Sequence, residues 1–140
     1  MREIIPDILW IGNAGDTDNL RELHDRNIAA VVDLAYEEPP KQLTRDLISV
    51  RIPLVDGDGN DSAQVRLAIS IVRKLLDAGT PTLVVCGAGM SRSPAIAAAA
   101  IAENHAESPV EALKRVTDNQ PHDVSPGLWA AILDCCGSNS

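Results

Sequence analysis

Residues 83–94, LVVCGAGMSRSP, decide the fold and the chemistry of this chain. The segment begins with branched apolar residues, which indicate a buried strand, and it leads into an alanine-rich run that predicts a helix over about 93–104. Between the two lies a loop with two glycines. A strand, a glycine loop and a helix N-terminus direct successive backbone N–H groups into one concavity, where the helix dipole adds positive potential. We therefore expect the loop to bind a tetrahedral oxyanion.

Two reactive side chains bracket this loop, since Cys86 opens it and Arg92 closes it six residues later. A thiol beside a helix N-terminus and a cation loses its proton more easily, and the thiolate is a strong nucleophile. The planar guanidinium can hold two phosphoryl oxygens at once. Ser93 is placed to donate a hydrogen bond to the sulfur. The expected substrate-binding residues are the loop itself: Gly87, Ala88, Gly89, Met90, Ser91 and Arg92.

Outward from the loop, apolar runs alternate with helical patterns, which predicts a single α/β domain over 1–140 with a disordered tail at 137–140. We expect a central, mostly parallel twisted sheet flanked by helices. The predicted strands are residues 4–12 (interrupted at Pro6), 28–34, 50–54 and 82–85. The predicted helices are one near Leu20 capped by residues 16–18, a turn at 43–47, one over 62–78 capped by Ser62, the helix after Arg92, and two that begin at Ser108-Pro109 and Ser125-Pro126.

The loop resembles the signature Cys-x5-Arg loop of the protein tyrosine phosphatase superfamily. It is closest to the dual-specificity branch, whose version reads His-Cys-x-Ala-Gly-x-Ser-Arg-Ser. The resemblance extends over nearly the whole chain, through IIPDILWIGN, VVDLAYEE, IPLVDGDGND and VSPGLWAAIL. It implies a phosphatase-like fold and hydrolysis of phosphate monoesters, on phosphotyrosine, phosphoserine or phosphothreonine, through a phosphocysteine intermediate. The matching positions are Cys86, Ala88, Gly89, Ser91, Arg92 and Ser93.

One position departs from this pattern, because Val85 stands where the family usually has histidine before the nucleophile. That histidine braces the loop and helps to keep the cysteine ionised. A catalytically weak phosphate-binding regulatory module is therefore an alternative interpretation.

The reaction also needs a proton donor for the leaving oxygen and a base for the attacking water. In the family this carboxylate lies about thirty residues before the cysteine, after an Ile-Pro strand end, which matches Asp56. Asp58 and Asp61 stand on the same loop, and spacing alone does not separate the three. Glu37 and Glu38 are interpreted as a solvated loop edge that could also shape substrate choice.

Composition limits the partners of this chain. The net charge of −8 disfavours nucleic acid, anionic membranes and polyanionic substrates, unless Arg45, Arg51 and Arg66 form a local basic patch. No run is long and apolar enough for a membrane span or a signal peptide, so we expect a cytoplasmic protein. The expected substrate is a phosphorylated protein or a small phosphate ester. The oligomeric state stays open.

The other cysteines, Cys135 and Cys136, have no disulfide or zinc spacing, and His24, His105 and His122 are scattered. No metal and no organic cofactor is expected. The spare thiols do leave a second alternative, a thiol-dependent oxyanion reductase of the arsenate type, in which they would resolve an adduct on Cys86.

Overall fold

The computed structural model describes residues 1–118 and 122–137. Its sheet has five strands in the order β1-β2-β5-β3-β4. The strands are β1 (Arg2–Ile5), β2 (Leu9–Asn13), β3 (Ala30–Ala35), β4 (Ile48–Leu54) and β5 (Thr82–Cys86). Among these described strands, only the β1–β2 pair is antiparallel; the pairs β2–β5, β3–β5 and β3–β4 are parallel. The predicted α/β domain with a mostly parallel sheet is confirmed, as is the strand break at Pro6.

In the described part of the chain, five α-helices flank the sheet, together with a 3₁₀ helix over Ala14–Asp18. They are α1 (Leu20–Asp25), α2 (Ser62–Asp77), α3 (Arg92–His105), α4 (Pro109–Thr117) and α5 (Pro126–Gly137). Gly137 ends α5, and the rest of the predicted disordered tail lies outside the described residues. No helix in the described ranges combines the length and the hydropathy that a bilayer crossing requires.

The pleat of β5 divides the core into two clusters, because successive side chains of a strand point to opposite faces. Val84 and Cys86 pack into the larger cluster, with α2, α3 and α5. Leu83 and Val85 pack into the smaller cluster on the other face, together with Leu23 of α1. The nucleophile candidate thus faces the helix that follows it, and its neighbour Val85 is buried on the far side of the sheet.

Several predicted helix boundaries were wrong. The 3₁₀ helix is capped by Asn13 and α1 by Asn19, where residues 16–18 were expected to cap. Asp61 caps α2 through a bond from the Ala63 N–H, so the predicted cap Ser62 is already the first helical residue. In place of the helical turn predicted at 43–47, the Leu47 N–H donates to the Thr44 carbonyl oxygen at 3.0 Å and closes a single short turn.

Candidate active site

The loop between β5 and α3 lies at the carboxyl end of the parallel strands, where α/β sheets place their ligand sites. Cys86 is the last residue of β5 and Arg92 is the first of α3. The Cys86 thiol is free and its residue is 1% exposed. It accepts a hydrogen bond from the backbone N–H of Ser93 at 3.4 Å. The helix N-terminus therefore points at the sulfur, as the sequence predicts.

Gly89 allows the loop to fold tightly against the sheet. Its φ of +75° is in the left-handed region, and a Cβ built on it would lie 2.9 Å from the carbonyl carbon and oxygen of Gly12. Only glycine permits both the dihedral angle and the contact. Gly89 therefore allows the loop to pack closely against the end of β2.

Ser93 differs from its predicted contact. Its hydroxyl donates to the carbonyl oxygen of Gly12 at 3.4 Å, and it is the Ser93 backbone N–H that reaches the Cys86 sulfur. The expectation of a hydroxyl bond to sulfur is wrong for this structure, because the buried hydroxyl finds a backbone acceptor on β2.

Arg92 is held by a carboxylate that the sequence did not single out for this purpose. Its Nη1 and Nη2 donate to the two oxygens of Glu37, each at 2.6 Å, and Nη1 also donates to the Leu54 carbonyl oxygen at 2.8 Å. The hydrogen bond from Arg92 is the main cause that lowers the pKa of Glu37, and the same bond raises the pKa of Arg92. The Nε of Arg92 is buried and has no partner among the described residues.

Asp56 lies beside the loop and contacts it directly. The Ser91 hydroxyl donates to Oδ1 of Asp56 at 2.5 Å and accepts from the Ser125 backbone N–H at 2.9 Å. Asn60 braces the segment that carries Asp56: its Oδ1 accepts from the Val55 N–H at 2.7 Å and its Nδ2 donates to the Val55 carbonyl oxygen at 2.8 Å. Sequence reasoning missed Asn60, since DGDGND reads only as a turn.

The structure separates the three candidate acids. Asp61 is the N-cap of α2. The backbone of Asp58 packs so closely against Gly127 of α5 that a Cβ built on Gly127 would lie 2.8 Å from the Asp58 nitrogen. Of the three, only Asp56 lines the pocket that contains Cys86.

That pocket has a volume of about 660 Å³ and combines the loop with three other segments. Gly89 and Ser93, though predicted site residues, do not line it. Asp123, which no sequence pattern indicated, does line it. The lining residues are Glu37, Glu38, Val55, Asp56, Cys86, Gly87, Ala88, Met90, Ser91, Arg92 and Asp123.

The remaining sequence candidates lie elsewhere. Cys135 donates from its sulfur to the Ser62 carbonyl oxygen at 3.8 Å, and Cys136 borders a separate groove, where burial raises the pKa of its thiol. Neither thiol lines the Cys86 pocket, so the geometry does not support the reductase interpretation. The possible basic patch is not at the pocket either, since none of its three arginines lines it.

This chain is similar in sequence to known proteins. A family model described as "Tc-R-P: Polymorphic toxin system, DSP-PTPase phosphatase" matches residues 10–106. The dual specificity protein phosphatase Mpk3 of Drosophila melanogaster is 32% identical over 128 residues, which cover 90% of this chain. The matched part spans 31% of that relative's length.

Solved structures agree with the fold. Human DUSP28 superposes with a TM-score of 0.86 at 21% identity, covering 99% of this chain and 97% of the other. The human tyrosine phosphatase-like serine/threonine/tyrosine-interacting protein gives 0.85 at 19% identity, with the same two coverages. Given the family match and the relative's identity, this chain belongs to the dual-specificity phosphatase branch of the protein tyrosine phosphatases.

Proposed function

We propose that this chain hydrolyses phosphate monoesters of a phosphorylated protein or a small molecule, with Cys86 as nucleophile. The observation that supports the proposal most strongly is that Cys86, Arg92 and Asp56 line one pocket, although they come from different parts of the chain. In the first step the Cys86 thiolate forms an S–P bond while the ester P–O bond breaks. Asp56 gives its proton to the leaving oxygen, so that an alcohol or phenol departs.

In the second step, water attacks the phosphocysteine and Asp56 takes its proton. The S–P bond breaks, which releases inorganic phosphate and restores the thiolate. Arg92 and the amides of residues 87–92 stabilise the charge on the phosphoryl oxygens in both steps. The Arg92 Nε, buried without a partner, is a donor available for this purpose. Since these groups supply the positive charge, the reaction needs neither a metal nor an organic cofactor.

The test is hydrolysis of p-nitrophenyl phosphate by the wild type, Cys86→Ser and Asp56→Asn from about pH 5 to about pH 8. We expect no turnover in Cys86→Ser and loss of the rate advantage at acidic pH in Asp56→Asn. Asp58→Asn is the matched control, because Asp58 is on the same loop but outside the pocket. Full activity of Cys86→Ser would refute the proposed nucleophile.

A second candidate function, phosphate binding with little turnover, is favoured by two features. Val85 is buried in the apolar cluster on the far face of the sheet, so no imidazole braces the loop from that position. Glu37 places a carboxylate on the guanidinium that would receive the phosphoryl group. Binding of inorganic phosphate by a wild type that hydrolyses no aryl phosphate at any pH would establish this function instead.

A further inference from the structure

The charges around the Cys86 pocket are mostly negative. Among the described residues that line it, four carry carboxylates and one carries a positive charge, Arg92. The carboxylates belong to Glu37, Glu38, Asp56 and Asp123. A phosphate ester must therefore enter a pocket whose lining repels any additional negative charge on the substrate.

Arg92 does not offset this excess. The side chain is 5% exposed, and the Glu37 carboxylate pairs with its Nη2 at 2.6 Å. The buried Nε has no partner among the described residues and, together with the loop amides, is left for a ligand. These donors suit one phosphoryl group, and no second cation is present among the described residues that line the pocket.

Two of the carboxylates, Glu38 and Asp123, form no close ion pair among the described residues and are held in place by their backbones. The hydrogen bond to Asp18 is the main cause that raises the pKa of Lys41 and the charge of Glu38 adds to it at longer range, so Lys41 itself is paired with Asp18. The Asp123 N–H donates to the Met90 carbonyl oxygen at 2.8 Å, and the Glu38 carbonyl oxygen accepts from Arg51 at 3.1 Å. Within residues 1–118 and 122–137, neither carboxylate forms a salt bridge. Both are thus available to a ligand.

Apolar side chains lie exposed on the same pocket lining. Met90 is 39% and Val55 is 45% exposed. Lysine and arginine suit such a surface, because their aliphatic stems pack on apolar groups while their charged heads remain in water or meet a carboxylate. Acidic residues or further phosphates beside the phosphorylated residue would be repelled by the carboxylates that line the pocket.

We infer that the natural ligand is a protein segment in which the phosphorylated residue is flanked by lysine or arginine, whose charges Glu38 and Asp123 receive. This inference rests on the proposed function for its site and names the substrate class. Exposed pairs of this kind are individually weak and are screened by salt. Their main expected effect is therefore a difference in affinity between phosphopeptides with basic flanks and phosphopeptides with acidic flanks.

The test measures binding, so that it does not depend on turnover. Fluorescent phosphotyrosine peptides with Lys, Ala or Glu on both sides of the phosphorylated residue are titrated by anisotropy against the Cys86→Ser variant. An unphosphorylated Lys-flanked peptide controls for general attraction to an acidic protein. We expect the Lys-flanked phosphopeptide to bind about tenfold more tightly than the Glu-flanked one at low salt. The ratio of the two affinities should shrink at about 0.5 M salt, because the Debye length is then only about 4 Å.

The same titration is repeated in two double variants on that background. Glu38→Gln/Asp123→Asn should bring the Lys-to-Glu affinity ratio close to one. Asp25→Asn/Asp134→Asn removes the same charge from exposed positions outside the pocket and should leave the ratio unchanged.

Equal affinities for the three phosphopeptides, no binding of any of them, or a preference that survives Glu38→Gln/Asp123→Asn would overturn the inference. If the Lys-flanked phosphopeptide is preferred but the wild type does not hydrolyse p-nitrophenyl phosphate, the proposed hydrolysis is overturned and the preference for basic flanks stands. If the wild type hydrolyses p-nitrophenyl phosphate but shows no such preference, the hydrolysis stands and the inference on basic flanks is overturned.

Discussion

The Ser91 hydroxyl donates a hydrogen bond to Oδ1 of Asp56 at 2.5 Å, across 35 positions of the chain. The same hydroxyl accepts from the backbone N–H of Ser125, just before α5. One side chain of the loop between β5 and α3 thus connects the segment that carries Asp56 with the start of the last helix. Asp56, which lines the pocket, therefore has a direct contact that holds it beside the loop.

Ser91→Ala should reduce hydrolysis most for esters whose leaving group needs a proton. Without the hydroxyl, Asp56 loses its partner and its alignment. We expect kcat/KM for an alkyl phosphate to fall about tenfold to hundredfold, which is less than the roughly hundredfold to ten-thousandfold that a fully lost general acid costs, and to fall less for p-nitrophenyl phosphate. Ser91→Thr, which keeps a hydroxyl, should restore much of the loss. An equal loss on both esters would contradict a positioning role.

Glu37→Gln should reduce stability at neutral pH and have less effect in acid. Arg92 lowers the pKa of Glu37, so folding favours the ionised carboxylate. The ion pair therefore stabilises the fold above the ordinary glutamate pKa of about 4.3, and this contribution is lost as the pH falls through the lowered pKa.

Because the Glu37 side chain is 52% exposed, we expect a contribution under about 1 kcal/mol after solvent screening. Thermal unfolding of the wild type and Glu37→Gln at neutral and strongly acidic pH measures it. Glu38→Gln is the matched control, since its carboxylate has no salt bridge in the described ranges. A difference in stability that is independent of pH would argue against the ion pair.

Gly89→Ala should destabilise the protein by roughly 1–3 kcal/mol, a typical range for strained backbone. An alanine there would combine a φ of +75° with a Cβ 2.9 Å from backbone atoms of Gly12. Gly57→Ala provides the comparison, because a Cβ at Gly57 meets nothing within 4 Å. Urea unfolding measures both variants. Equal stabilities would show that the loop tolerates a side chain at position 89.

Asn60→Ala should loosen the segment that carries Asp56. Two hydrogen bonds between the Asn60 amide and the backbone of Val55 would be lost. We expect kcat to fall about tenfold, with a weakened acidic limb of the pH profile. Asn60→Asp keeps the acceptor for the Val55 N–H and should be intermediate, and Asn104→Ala, at the end of α3 far from Arg92, should have no effect on kcat. A change in KM alone would place Asn60 in substrate binding.

The sequence predicts those parts of the site that lie close together along the chain. The strand, the glycine loop and the helix are contiguous, so Cys86, Arg92 and the loop amides could be identified from residue types and spacing alone. Asp56 followed from a resemblance, and only the fold separates it from Asp58 and Asp61, because adjacent turn aspartates have the same local pattern.

The long-range contacts could not be predicted in this way. Glu37 and Arg92 are 55 positions apart, and two prolines after Glu38 made that segment read as an ordinary loop. The parallel pairing of β3 with β5 brings their carboxyl ends together, which is the physical reason that the two side chains meet. Asp123 is held at the pocket by the bond from its N–H to the Met90 carbonyl oxygen, a long-range backbone contact that no local pattern predicts. Asp61 caps α2 where Ser62 was predicted to do so. The sequence could not separate these neighbours, because aspartate and serine are both favoured N-cap residues.

The most direct test of the central claim is to trap the covalent intermediate. The wild type is mixed with a large excess of p-nitrophenyl phosphate, quenched in acid within milliseconds, digested and analysed by mass spectrometry. We predict one added phosphoryl group on the peptide that contains Cys86, and no such adduct on the same peptide from Cys86→Ser. Turnover in the wild type with no adduct at Cys86, or an adduct on another residue, would contradict the account.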